Sequence, residues 1–130
     1  MDILQPASWP RPRGYSNGIA ANGRQVFVSG MVGWDAPGNF EASDLAGQVR
    51  QALRNIVDVL AEANARPEHI VRMTWYIVDK AEYLASVREI GEAYREIIGR
   101  HYPAMTVVQV VALLENKARV EIEVTAVVPE

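Results

Sequence analysis

Tyr102-Pro-Ala-Met-Thr-Val-Val-Gln-Val-Val-Ala-Leu-Leu114 is followed, after a short polar turn, by Ala118-Arg-Val-Glu-Ile-Glu-Val-Thr-Ala126. β-branched residues dominate both runs, which read as two strands. In the first, the even positions Val108, Val110, Ala112 and Leu114 are apolar. So are the odd positions Val107, Val111 and Leu113, with Gln109 the one exception. A strand open to water on one side alternates apolar with polar residues, so this pattern predicts a sheet covered on both faces. Glu121 and Glu123 stand two apart on the second strand and therefore share one of those faces. A carboxylate in such a strand needs a reason.

Working back from this pair, Ala81 to Ile98 places Tyr83, Val87, Ile90, Tyr94 and Ile97 at helical spacing, and Gly99 supplies the stop. Ile70 to Val78 reads as a strand with large residues on both faces. Before it, Ser43 or Asp44 caps a helix running to about Ala65, with one wide apolar stripe from Leu45 to Ala61. Gln25 to Gly30 is a strand. With the Asn22-Gly23 turn signal and a weaker strand at Tyr15 to Ala20, it predicts a hairpin. Residues 1–14, rich in proline, form an irregular lead-in that Trp9 anchors to the body. The order β-β-α-β-α-β-β makes a single α+β domain over residues 1–130, with two helices on one face of a mixed sheet. No segment remains to cover the other face. A homo-oligomer whose sheets pack together follows from that, with Glu121 or Glu123 near a subunit boundary.

Composition bounds the chemistry. With 130 residues and a net charge of −3, the chain offers no basic stripe for phosphates, which argues against a nucleic-acid partner. The absence of cysteine removes thiolate chemistry and cysteine-bound metals. His69 and His101 are isolated, so no metal site is expected. Ser29 lacks the Gly-x-Ser-x-Gly setting of a hydrolase nucleophile and reads as a turn or a ligand hydrogen bond. No apolar run is long enough to span a bilayer, and a soluble cytoplasmic protein with no membrane partner is expected.

Several motifs fall in register along nearly the whole chain: Gly14-Tyr15-Ser16, Val28-Ser29-Gly30, Gln48-x-x-Gln51-Ala52-Leu53-x-Asn55, Val71-x-x-Thr74, Val78-Asp79, Tyr102-Pro103-Ala104 and Val120-Glu121-Ile122-Glu123. Together they resemble the RidA/YjgF family. That resemblance implies a chorismate-mutase-like fold, a homotrimer with small-molecule clefts between subunits, and no metal or organic cofactor. It also implies an activity: hydrolysis of reactive enamines or imines to oxo acids and ammonia. Carried over position by position, it assigns Glu121 as the carboxylate that handles the attacking water. Tyr15 and Ser29 become substrate-binding residues.

Three positions depart from the family pattern. The arginine that binds the substrate carboxylate is Met105 here, the glutamine after Ser-Gly is Met31, and an asparagine of the second helix aligns with Arg88. An arginine–carboxylate pair is bidentate and charge-assisted, which methionine cannot imitate. Losing it forfeits ~2–5 kcal/mol where the pair is desolvated. Three readings follow. Arg88 or another cation re-supplies the charge; or the substrate carries no free carboxylate there, and Met31, Met105 and Trp34 line a more apolar pocket; or the site only binds ligands or is vestigial. The leading function is an imine or enamine deaminase whose substrate is not a simple free 2-imino acid. The alternatives are a non-catalytic trimer that binds a metabolite or has a regulatory role, and, against the charge balance, an endoribonuclease or translation inhibitor.

Overall fold

Val120, Ile122, Val124 and Ala126 alternate with Glu121, Glu123 and Thr125, and that alternation sets the centre of the fold. In the computed structural model, which describes residues 1–130, the first set is at most 3% exposed. The elements in chain order are β1 (Asp2–Leu4), β2 (Gly18–Ala20), β3 (Arg24–Val32), α1 (Leu45–Glu62), β4 (Ile70–Ile77), α2 (Lys80–Ala85), α3 (Val87–Ile97), β5 (Ala104–Gln109) and β6 (Val120–Val128). A four-stranded sheet has the order β3-β6-β4-β5, antiparallel except for the parallel β4–β5 pair. The parallel pair needs a crossover, which α2 and α3 supply. The expected α+β class, with helices on one face of a mixed sheet, is the one observed.

α1 starts where Asp44 accepts a hydrogen bond from the Gly47 N–H, one of the four donors a helix leaves unpaired at its start. Leu45, Val49, Ala52, Leu53, Ile56 and Leu60 then fall on one stripe and are fully buried against Val28, Met73, Trp75, Ile122 and Val124 of the sheet. On the other side of α1, Arg50 and Arg54 both reach Glu96 of α3 and hold the two helices together.

Four local expectations change. First, β2 pairs with β1 rather than with β3, so no hairpin forms at Asn22-Gly23. Ile3 and Leu4 precede the first proline and are free to form a short strand. Gly23 instead packs on the end of β6, where a Cβ would lie 2.2 Å from the Val128 carbonyl oxygen. Second, Trp9 is exposed and anchors nothing; the lead-in is held by Gln5, whose amide donates to the carbonyls of Trp9 and Pro10. Third, the second helix is two helices. Ser86 leaves helical dihedrals, and its N–H bonds Tyr83, three residues back instead of four.

The fourth change concerns the deciding stretch itself. β5 and β6 are not neighbours, because β4 lies between them. β5 also ends at Gln109, where the side chain accepts from the Lys80 N–H at 2.6 Å and so ties the strand end to α2. Beyond it Val110 donates to Ile77 and the chain leaves the sheet. The alternation read through Leu114 therefore overshoots the strand. The face away from the helices is mixed instead of apolar: it carries Phe27, Ser29, Arg72, Thr74, Tyr76 and Glu123. Phe27 and Val108 are exposed on the sheet itself, and Val111 and Leu114 are fully exposed in the loop after β5.

Candidate active site

The sequence-derived site residues fall into two groups on opposite sides of the sheet. The first is built by docking the Gly14-Tyr15-Ser16 segment onto the start of β5. Ser16 is buried, its N–H donates to the Pro103 carbonyl at 3.0 Å, and its hydroxyl donates to the Tyr102 carbonyl at 2.5 Å. Gly14 permits the turn with a φ of 77°. Two distant motifs thus become one structure, and Tyr15 arrives beside Met105 at a cavity of about 560 Å³. Trp75, Ile90 and Tyr94 supply buried wall, and Tyr102 stacks on Tyr94 with centroids 5.7 Å apart. Burial raises the pKa of Tyr83 and Tyr94 above the ordinary phenol range, so both line the cavity as neutral groups. Tyr94 donates to the His101 carbonyl at 2.6 Å.

The second group lies on the outer face. The register between β3 and β6 shifts between Val28 and Met31, so Ser29 and Gly30 together oppose Glu123 alone. Such a bulge bends the strand and re-aims its side chains. Gly30 lies directly under Glu121: a Cβ there would be 2.3 Å from Oε2 and 2.7 Å from Cδ. The carboxylate therefore rests against bare backbone, a contact only glycine allows.

Sequence alone leaves Glu121 and Glu123 equivalent; the structure separates them. Glu123 accepts a 2.6 Å hydrogen bond from the Tyr76 hydroxyl, which raises the Tyr76 pKa. Glu121 has no hydrogen-bond or ion-pair partner within the protomer. Of the two cations that could neutralise it, Arg119 is committed to Glu82 at 2.9 Å, and Arg72 makes no ion pair.

The remaining residues stand apart from both groups. Met31 pairs with Ile122 and packs into the core on the helix side. Arg88 lies on the outside of α3, its side chain 87% exposed and 3.7 Å from Glu92. Trp34 packs against Phe40 in the loop after β3. His69 accepts from the Arg66 N–H through Nδ1, and the His101 Nε2 lies 2.7 Å from the Ile70 carbonyl, which makes it a donor. Sequence reasoning passed over Arg13, Arg95 and Trp75, all of which line the cavity with Met105. Arginines in a proline-rich lead-in and on a helix surface carry no pattern that separates them from solvated charge.

Comparison with known proteins gives the chain a family. The family model described as Endoribonuclease L-PSP matches residues 8–128. A human protein named 2-iminobutanoate/2-iminopropanoate deaminase is 27% identical over 127 residues, covering 96% of this chain and 88% of its own. A RutC family protein of Synechocystis sp. is 34% identical, with 99% and 98% covered. Among solved structures, YyfB from Yersinia pestis, described as a protein of unknown function of the conserved Rid family, superposes with a TM-score of 0.85. It shares 28% identity and covers 98% of each chain. E. coli TdcF, solved with bound serine, gives a TM-score of 0.68 at 29% identity, again with 98% of each chain covered. No helix is long and apolar enough to cross a membrane. The chain belongs to the RidA/YjgF family.

Proposed function

We propose that this protein hydrolyses a small reactive imine or enamine whose reacting carbon bears no free carboxylate, and that it does so in clefts between the subunits of a cyclic homotrimer. The observation that carries this reading is Glu121, a carboxylate without a partner, held against the bare backbone of Gly30. Such a group can take a proton from water as the water adds to the C=N carbon. The nitrogen is protonated, the C–N bond of the resulting carbinolamine breaks, and ammonia leaves a carbonyl behind. An enamine needs one earlier step, protonation at carbon, which the same carboxyl can supply. No cofactor is required by this chemistry.

The separation of the two groups supports an oligomer, and the family resemblance is what makes it a trimer. Glu121 on β6 and Met105 on β5 are two strand spacings apart across the sheet and three residues apart along it, roughly 14 Å, and on opposite faces. One small substrate cannot touch both within a protomer. A second copy that brings its outer face to the β5 edge would complete the site. Val111 and Leu114, exposed just beyond that edge, suit such a contact.

Ammonia release from enzymatically generated imines tests the proposal. Imines of amides and thioesters are expected to turn over faster than 2-aminoacrylate. Met105→Arg should raise 2-aminoacrylate turnover at least about tenfold by restoring a charge-assisted contact. Unchanged 2-aminoacrylate turnover in Met105→Arg, with imines that bear a carboxylate on the reacting carbon preferred by the wild type, would overturn the substrate class. No ammonia from any imine, with saturable metabolite binding, would replace the hydrolase by a binding protein.

A further inference from the structure

The cavity behind Met105 combines three features. Arg13 and Arg95 both line it, both are exposed, and neither pairs with a carboxylate. Of the eleven arginines, Arg50, Arg54, Arg66, Arg88 and Arg119 do pair; of the six that do not, Arg13 and Arg95 are the two that line this cavity. Next, Gly91 sits in the middle of α3, where glycine destabilises a helix relative to alanine. A Cβ at that position would lie 3.3 Å from an Arg95 guanidinium nitrogen, so alanine there would crowd Arg95 where it crosses the helix. A cation in the last helical turn complements the helix dipole, but that accounts for Arg95 and not for Gly91. Third, Trp75 lines the same cavity, and its Nε1–H is the one buried side-chain polar atom with no partner. That nitrogen is fully buried, so a molecule in the cavity meets the apolar ring of Trp75 and not this donor.

We infer that this cavity takes an organic anion with an apolar body, the anionic group being held at the mouth by Arg13 and Arg95 and the body lying against Trp75, Tyr94 and Met105. The inference rests on the hydrolase reading for its meaning. It makes the substrate an imine whose carboxylate is distant from the reacting carbon, joined to it by an aromatic or aliphatic segment. The family arginine would hold a carboxylate directly on that carbon; here methionine fills the floor and the charge sits at the entrance. Guanidinium suits the task because its planar fork bonds a carboxylate through two donors.

Binding tests this without requiring turnover. In isothermal titration, phenylacetate and hexanoate are expected to bind about tenfold more tightly than phenylacetamide and hexanamide. The double variant Arg13→Gln/Arg95→Gln should bind acid and amide alike, and each single variant should lose part of the preference. Gly91→Ala, which favours the helix, should raise the unfolding midpoint yet weaken acid binding, an opposition that a purely structural role would not produce. Trp75→Phe should weaken acid and amide equally. Equal binding of acid and amide to the wild type, an intact preference in the double variant, or no binding of either acid at millimolar concentration would overturn the inference. The two proposals fail separately. Turnover of carboxylate-free imines with no acid preference would leave the hydrolase standing without this anion site. A clear acid preference with no ammonia from any imine would do the reverse.

Discussion

Gly30→Ala is expected to lower ammonia release about 100-fold while shifting the unfolding midpoint by no more than about 2 °C. Gly30 does not occupy the left-handed region of backbone space, so alanine can adopt its conformation. What alanine cannot do is share space with Glu121: the three closest atoms to its Cβ, at 2.3, 2.7 and 2.9 Å, all belong to that side chain. A flexible glutamate on an outer face can swing aside at little cost to stability. The carboxylate would then sit an ångström or more from where the reacting water needs it, and displacement on that scale costs about two decades in rate. Glu121→Gln should lose a similar amount for a different reason, since an amide accepts no proton. Gly33→Ala, three residues on, provides the contrast. Its Cβ would meet the Gln48 backbone at 2.7 Å, which cannot swing away, so that variant should unfold ~1–3 kcal/mol more easily. Full turnover in Gly30→Ala would remove Glu121 from the reaction.

The elements that local pattern specifies were readable in the chain. α1 declares itself through its stripe and Asp44, β4 through Ile70 to Ile77, and the central strand β6 through its alternation of aliphatic residues with Glu121 and Glu123. Pairing was not readable, because it depends on contacts distant in sequence. Nothing local says that β4 intervenes between β5 and β6, or that Leu4 prefers Gly18 to a hairpin partner. The run from Val107 to Leu114 misled because apolar residues look alike whether they end in a sheet or in an exposed loop. What ends β5 is the bond from Lys80 to Gln109, twenty-nine positions apart. The candidate site divides the same way. Tyr15, Ser29, Met105 and Glu121 stand in recognisable motifs, whereas the unpartnered arginines of the cavity become visible only once α3 is folded against β5.

Gln48→Leu is expected to be the most destabilising of these substitutions, by about 3 kcal/mol, or roughly 10 °C in midpoint for a chain of this size. Gln48 is only 1% exposed, and a polar group so buried must be bonded. Its amide nitrogen donates to the carbonyls of Ala42 at 3.1 Å and Lys117 at 2.9 Å, and its oxygen accepts from the Arg119 N–H at 2.7 Å. One side chain thus ties the entry to α1 to the loop that delivers β6. Leucine matches its bulk and leaves all three backbone groups without that partner, each worth about 1 kcal/mol. The consequence reaches the candidate site, because Arg119 is two residues from Glu121 and the same anchor fixes where β6 begins. Ammonia release at a temperature well below the new midpoint should therefore fall along with stability. Leu53→Ala, a cavity made on the opposite side of α1's stripe from this anchor, should lose a comparable amount of stability and keep its turnover. If both variants lose stability and turnover in the same proportion, Gln48 serves the core alone; if only Gln48→Leu loses turnover while still folded, it positions Glu121.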